Sequence, residues 1–180
     1  MPNRGKTICF IDNSNIFGGQ IASGWRIDWR KFQNKMEKRG ELWQTYFFAS
    51  IEDPPNPKQQ EFYNTLKENM RWEVVIYTLK PKTMYCPNCK NTGYGHVEKG
   101  VDVGLATKML MLAFNRAYDT ALLVTGDSDY LETVNFIKNL GLRVEIVGWR
   151  RSMSTELGSE SSSAVQYLDD MEDEIKINYE

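Results

Sequence analysis

The stretch "GKTICFIDNSNIFGG" (residues 5–19) joins an apolar, β-branched run to a cluster of polar side chains. The apolar half is typical of a buried strand, and it ends on the carboxylate of Asp12. A second stretch, "ALLVTGDSDYLETV" (residues 121–134), runs in the same way from an apolar strand into Asp127 and Asp129. One such ending is typical of a turn, whereas two in one small domain indicate a shared site.

Segments of strand character alternate with segments of helical periodicity along the chain. The predicted strands are Thr7–Ile11, Trp43–Ser50, Val74–Leu79, Thr120–Thr125 and Arg143–Val147. Between them, helices are predicted to begin after Asp28, after Asn56, near Val101 and near Leu131. The alternation predicts an α/β fold with a mostly parallel sheet covered on both faces, and ligands of such sheets bind at the carboxyl ends of the strands.

The length of 180 residues fits a single domain, and we assign residues 1–180 to it. Residues 80–100 are predicted to form an irregular insertion rich in Lys and Gly that contains Cys, and residues 163–177 an acidic C-terminal helix. No apolar run approaches the ~20 residues of a membrane span, and no apolar signal core precedes the first strand. We therefore expect a cytoplasmic protein with no membrane partner. The net charge of −2 argues against a protein that binds nucleic acid over its whole surface, but not against local binding.

A third acidic position, Asp102, lies in "EKGVDVGLATKML" near the predicted start of a helix, where the helix dipole favours a negative charge. We expect Asp12, Asp102, Asp127 and Asp129 to meet at one edge of the sheet. Two carboxylates about 4 Å apart repel by roughly 4 kcal/mol at an effective dielectric constant near 20, so they raise each other's pKa or require a cation. Oxygen ligands without His or Cys suit Mg²⁺ or Mn²⁺. The alternative is that each Asp only caps a helix or forms a turn.

The stretches "FIDNSNIF", "EKGVDVGLATKM" and "LVTGDSDYLETV" together resemble the three motifs of the NYN domain family, which includes the LabA-like proteins and belongs to the PIN-like nuclease group. The resemblance covers about residues 6–175. It implies a three-layer α/β/α fold of PIN-like, Rossmann-like topology and Mg²⁺- or Mn²⁺-dependent cleavage of RNA that leaves a 5′-phosphate and a 3′-hydroxyl. Asp12, Asp102, Asp127 and Asp129 match its acidic positions, and Asn13 and Asn15 its amide positions. One departure is Lys108, where relatives often carry a further Asp.

If the chain is a nuclease, we assign Asp12 and Asp127 as direct metal ligands, with Asp102 and Asp129 completing the shell. The expected partner is single-stranded RNA, which requires cationic contacts and stacking surfaces. The substrate-binding candidates are Asn13, Asn15, Lys82, Lys99, Lys108, Ser128 and Arg150. Tyr85, Tyr94 and Trp149 are the aromatic candidates, with packing of Trp149 in the core as the alternative.

The "CPNC" stretch leaves three interpretations open. Cys86 and Cys89, with His96 seven residues further on, supply three ligands for a structural Zn²⁺. The same two thiols are equally consistent with a reduced pair that binds nothing. They are less consistent with a redox pair, because such a pair usually lies at the start of a helix. Cys9 lies in the first strand and is expected to be buried there as a small apolar residue.

Two other functions compete with a metal-dependent ribonuclease. The first is a catalytically weak relative that binds RNA or a protein partner, which Lys108 favours if it reaches the acidic site. The second is a phosphoryl-transfer or phosphatase domain of α/β type. It lacks the Asp-x-Asp expected after the first strand, where the chain has Asp12-Asn13-Ser14. The sequence does not decide whether the protein forms a homodimer, because no pattern in it identifies an interface.

Overall fold

The central sheet is built from six strands, of which the first lies in the middle and is buried along its whole length. The computed structural model describes residues 4–85 and 88–178. Its strands are β1 (Thr7–Asp12), β2 (Leu42–Ile51), β3 (Glu73–Thr78), β4 (Lys80–Tyr85), β5 (Thr92–Val97), β6 (Thr120–Val124), β7 (Arg143–Gly148) and β8 (Gln166–Tyr167). Its α-helices are α1 (Asn13–Ser23), α2 (Trp29–Glu37), α3 (Pro57–Met70), α4 (Val101–Phe114), α5 (Leu131–Asn139), α6 (Thr155–Ser159) and α7 (Glu172–Ile175).

The strand order in the large sheet is β3-β2-β1-β6-β7-β8, and all neighbouring strands are parallel. From β1 the chain first builds outward through β2 and β3, and later crosses to the other side of β1 to form β6. The order therefore reverses between β1 and β6. In open α/β sheets, ligands bind at the carboxyl edge beside such a switch point. Asp12 ends β1, and Asp127 follows β6 by three residues, so both lie at this edge.

Alternate residues of the strands supply two hydrophobic cores, one on each face of the sheet. Cys9 and Ile11 of β1 face a core formed with α1, α2, α3 and α7, whereas Ile8 and Phe10 face one formed with α4, α5 and α6. The expected α/β fold with a mostly parallel sheet and helices on both faces is thereby confirmed. Cys9 is fully buried, as expected.

Helix α1 was not expected from the sequence. Asp12 accepts hydrogen bonds from the backbone N–H groups of Ser14 and Asn15 and thereby caps the helix, and Gly24 ends it in a left-handed conformation. The helix contains Gly18 and Gly19, which disfavour helix formation and hide the apolar periodicity. Gly19 is required for packing, because a Cβ atom there would lie 1.9 Å from Cδ1 of Trp149.

Two predicted segments differ from the structure. Residues 80–85 and 92–97 are not irregular but form the antiparallel pair of strands β4 and β5, which pairs Lys80 with Val97 and Tyr85 with Thr92. Residues 163–177 do not form one helix. The Ser-rich stretch runs alongside β7, where the hydroxyls of Ser161 and Ser162 accept hydrogen bonds from backbone N–H groups of that strand. Up to residue 178, the elements that come after it are β8, a 3₁₀ turn and the short α7.

Across residues 4–85 and 88–178, the helices are all too short or too polar to cross a membrane.

Candidate active site

Asp12 lies at the centre of the carboxyl edge and is almost completely buried. Its Oδ1 accepts hydrogen bonds from the backbone N–H groups of Ser14 (3.1 Å) and Asn15 (3.2 Å) at the start of α1. Its Oδ2 accepts one from the hydroxyl of Thr125 at 3.2 Å. The carboxylate is therefore held in one orientation by the end of β1, the start of α1 and the end of β6.

Tyr130 connects Asp12 to the second acidic position. Its phenol oxygen lies 3.4 Å from Oδ2 of Asp12 and 3.3 Å from Oδ1 of Asp102. The tyrosine is buried, and burial together with the two carboxylates raises its pKa well above the ordinary value. The phenol therefore stays protonated, and its O–H lies within hydrogen-bond distance of both acids. The sequence analysis missed this residue, although it directly follows Asp129.

Glu98 is a further member of the cluster that the sequence analysis did not place there. Its Oε2 accepts a hydrogen bond from the hydroxyl of Ser14 at 2.5 Å and another from the hydroxyl of Ser50 at the end of β2. Its negative charge contributes to the raised pKa of both Asp12 and Asp102. The only sequence signal was an acid four residues before Asp102.

The loop after β6 brings the remaining polar residues to the edge. Asp127 accepts a hydrogen bond from the backbone N–H of Asp129 at 3.0 Å, and its own N–H donates to the hydroxyl of Thr125. The side chain of Asn15 accepts a hydrogen bond from the N–H of Gly126 at 3.0 Å and so ties α1 to this loop. Asp127 is half-buried, whereas Ser128 and Asp129 are exposed.

Burial and mutual repulsion both act on the acids. Burial raises the pKa of Asp12 to about 6, with the charges of Asp102 and Glu98 adding to the effect and the hydrogen bonds from Asn15 and Thr125 opposing it. Burial also raises the pKa of Asp102, and the charges of Asp127, Glu98 and Asp129 raise it further. The cluster thus carries more negative charge than its surroundings stabilise.

A hard divalent cation fits the chemistry of these side chains, because all of them are oxygen donors and their repulsion would be relieved by positive charge. In the part of the chain that the structure describes, no three His, Cys, Asp or Glu side chains are placed to hold a metal ion as they stand. The site is therefore an electrostatic match for Mg²⁺ or Mn²⁺ whose ligand shell is not preformed.

The cationic substrate-binding candidates lie in three places. Lys82 is exposed on the hairpin, and Lys99 is exposed directly after Glu98. Arg150 contacts both carboxylate oxygens of Asp170 at 2.7 Å, and its guanidinium lies 4.0 Å from the ring of Tyr167.

Lys108 does not join the acids. Its ammonium group lies 3.5 Å from Glu73 and 5.0 Å from the ring centre of Tyr46, beside the first residue of β3. Because Asp102 lies in the first turn of α4 and the helix runs back along the sheet, Lys108, six residues later, lies toward the opposite edge.

The aromatic candidates are also separated. Tyr85 and Tyr94 are exposed on the hairpin, but Trp149 is buried, with its indole N–H donating to the backbone carbonyl of Ile16. Trp149 therefore packs in the core, which was the alternative interpretation.

The zinc hypothesis is not decided. Cys86 lies outside the described residues. Cys89 is an exposed free thiol, and His96 is exposed on β5. The site stays a prediction.

Two clefts meet at Ser14 beside the acids. The first has a volume of about 470 Å³ and follows one side of α1, past Gly18 and Gly19 to Arg151. The second has a volume of about 680 Å³ and lies between α1 and α3, with Asn13 and Glu98 at the end nearest the acids. An extended ligand that occupied both clefts would pass directly over the start of α1.

Comparisons with known proteins agree with the fold. The NYN domain family model matches residues 6–169. The low amplitude and bright protein LabA of Synechococcus elongatus is 24% identical over 153 residues, which cover 82% of this chain and 76% of that protein. A crystal structure of a protein of unknown function from Vibrio parahaemolyticus has a TM-score of 0.74 at 20% identity, with 98% of this chain and 99% of that chain covered. The likeness to that structure bears on the fold alone.

Proposed function

This chain belongs to the NYN domain family, which includes nucleases, and we propose that it is a ribonuclease that hydrolyses RNA phosphodiester bonds with Mg²⁺ or Mn²⁺. One observation carries the proposal. A buried carboxylate with a pKa of about 6 lies at the switch point of the sheet and feels the charges of Asp102 and Glu98. Such a cluster is costly to maintain in a fold unless a cation and an anionic substrate use it.

Asp12 and Asp127 would hold the metal directly, and Asp102 and Asp129 would complete its surroundings. Glu98 is the added member, because its contacts with Ser14 and Ser50 hold its carboxylate at the same edge. When bound, the metal supplies Lewis-acid stabilisation of the phosphate and a water of lowered pKa.

The protein's own residues position the reacting groups. The hydrogen bonds to Asp12 fix the direction of its carboxylate, and Asn15 fixes the loop that carries Asp127. Tyr130 holds a proton between Asp12 and Asp102 and so reduces their repulsion while the site is empty of substrate. These contacts keep the acids close together before the substrate arrives.

The alternative, a catalytically weak member that only binds RNA or protein, loses its main support. It depended on Lys108 reaching the acids, and the contact of Lys108 with Glu73 directs it elsewhere. The acidic surroundings of Asp12 are therefore not offset by this lysine.

The test is cleavage of a fluorescent single-stranded RNA in Mn²⁺ or Mg²⁺ and in EDTA, with wild type, Asp12→Asn and Asp127→Asn. We expect cleavage with metal only and a loss of at least about 100-fold in each variant. Asp173→Asn is the matched control, because the Asp173 side chain is 97% exposed and contacts only Lys176 within the described part of the chain. Wild type that binds the RNA but does not cut it would favour the binding module instead.

A further inference from the structure

The larger cleft beside the acids contains an arrangement that the catalytic proposal does not use. Its volume of about 680 Å³ is within the range of ligand pockets, roughly 300–1,000 Å³. Ser14 and Glu98 belong both to its lining and to the acidic cluster. Most of its remaining wall comes from α1, α3 and the start of α2.

An aromatic and cationic pair lines this cleft. The guanidinium of Arg26 lies 4.6 Å from the ring centre of Phe17, and Phe17 is 45% exposed. Phe17 is three residues after Ser14 in α1, which is about one helical turn from the acids. Phe62 of α3 adds a second aromatic side chain to the cleft and is 37% exposed.

Arg26 also carries an unsatisfied donor. Within residues 4–85 and 88–178, its Nη1 is buried and has no hydrogen-bond partner. Arg39 and Arg143 also have one unpaired buried nitrogen each, but both contact Glu145 through their other nitrogens. Arg26 lines the cleft and, among the same described residues, forms no ion pair with Glu98 or any other acid.

The groups point to one class of ligand. A guanidinium with an unpaired N–H matches the oxygen of a phosphate, and an exposed ring beside it offers a stacking surface to a base. Lys58, exposed at the start of α3, adds positive charge to the same cleft. A phosphate and a base in adjacent positions are the two parts of a nucleotide.

We propose that this cleft binds one nucleotide of a single-stranded RNA next to the scissile phosphate. Arg26 binds a backbone phosphate and Phe17 stacks on the base. The proposal rests on the proposed ribonuclease function and names where its substrate is held. A base in a duplex is already stacked and paired, so the cleft selects single strands.

The test is the affinity for a 5′-fluorescein-labelled octa-adenylate, measured by anisotropy in EDTA so that cleavage plays no part. We expect Phe17→Ala and Arg26→Gln each to weaken binding by about tenfold, which is within the range for one base stack or one charged contact. Phe17→Trp keeps the ring and is expected to retain the affinity. The controls are Phe136→Ala, whose ring is 44% exposed on α5, and Arg30→Gln on the exposed side of α2. Both should bind as wild type.

The outcomes separate this proposal from the ribonuclease. Wild-type affinity in Phe17→Ala and Arg26→Gln overturns the cleft, even where wild type cleaves RNA and Asp12→Asn does not. Loss of binding in those two variants supports the cleft, even where wild type never cuts RNA. Wild type that does not bind the octa-adenylate, or that binds an unlabelled duplex equally well as a competitor, overturns the cleft. Thermal unfolding of each variant verifies that it is folded.

Discussion

Asp12 has two roles that oppose each other. As the N-cap of α1 it stabilises the fold, because it satisfies two backbone N–H groups. As a buried charge beside other acids it destabilises the fold, and this second effect raises its pKa from 3.8 to about 6. An asparagine would keep the acceptor oxygen of the cap and remove the charge. The two effects can therefore be separated by one substitution.

We predict that Asp12→Asn is more stable than wild type at pH 8 in EDTA, by about 2–3 kcal/mol. The folded pKa is higher than the unfolded one, so the folded state binds the proton more tightly and is stabilised below pH 4. That stability is lost as the pH rises through about 6. The difference between variant and wild type should thus vanish below pH 4. Urea denaturation at several pH values measures it.

Asp28→Asn is the matched control for this experiment. Asp28 caps α2 through the N–H groups of Arg30 and Lys31, in the same manner as Asp12 caps α1, but it lies outside the acidic cluster. It should gain no stability at pH 8. A stability difference for Asp12→Asn that does not change with pH would contradict the electrostatic cause.

An acid of the site could be predicted from the sequence only where it lies at the end of a recognisable strand or at the start of a recognisable helix. Asp12 and Asp127 follow apolar strands, and Asp102 lies in the first turn of a predicted helix, so the parallel topology predicts that they lie at one edge of the sheet. Glu98 follows an exposed hairpin strand with no apolar pattern. Its place in the site depends on hydroxyl contacts with Ser14 and Ser50, which come from elements far apart in the sequence. Local pattern contains no information about such contacts.

Among the strands and helices, the burial of side chains determines which elements can be located from the sequence. The strands β1, β2, β3, β6 and β7 of the large sheet were located to within one residue at every end, whereas the short edge strand β8 was not predicted. Helices α2 and α3 were located through their caps, Asp28 and Asn56. The hairpin was missed because the described side chains of β4 and most of those of β5 are exposed, which leaves no alternation of apolar and polar residues.

The hairpin therefore contributes little to the core. Its cross-strand pairs place Tyr85 and Tyr94 on one face and Lys80 and Lys82 on the other. Both faces are open to solvent, and the strand β5 leads directly to Glu98. If the chain is the proposed ribonuclease, an exposed element with aromatic and cationic faces next to the acids would serve to hold RNA rather than to stabilise the fold.

We predict that replacing residues 80–97 by two glycines costs less than about 1 kcal/mol, or roughly 2–4 °C in the unfolding midpoint. Leu79 and Glu98 directly flank the paired residues Lys80 and Val97, so the short link spans the gap. Binding of single-stranded RNA should weaken. Because Lys80, Lys82 and Lys90 are removed, the slope of log affinity against log salt should fall by roughly 2. Thermal unfolding and a salt titration measure the two effects.

A hairpin with Gln at Lys80, Lys82 and Lys90 is the control for the salt effect. It should reproduce the smaller slope while keeping the two tyrosines. A replacement that lowers the unfolding midpoint by 10 °C or more would show that the hairpin is part of the core and would contradict the prediction.

At the scale of the whole molecule, the near-neutral net charge includes two separate clusters of charged residues, one acidic and one rich in arginine. The carboxyl edge of the sheet gathers acids that form no ion pair with any cation in the described part of the chain. Around β7, in contrast, Arg4, Arg39 and Arg143 surround the fully buried Glu145, at distances of 2.8, 3.2 and 3.6 Å. Arg4 also donates to the backbone carbonyl of Met36 near the end of α2. One carboxylate thus joins the start of the chain, α2 and a sheet strand.

Glu145→Gln should be far more destabilising than the loss of an ordinary ion pair, because it leaves Arg4 buried with no opposing charge. We predict a loss of about 3–5 kcal/mol in the free energy of unfolding at pH 7. Glu160→Gln is the control: Glu160 pairs with Lys138 at 2.5 Å, but both side chains are one-third exposed, so the expected loss is below about 1 kcal/mol. Urea denaturation of the two variants measures both. Equal losses would mean that the buried cluster stabilises the fold no more than a surface pair, and that the start of the chain is held by its backbone contacts instead.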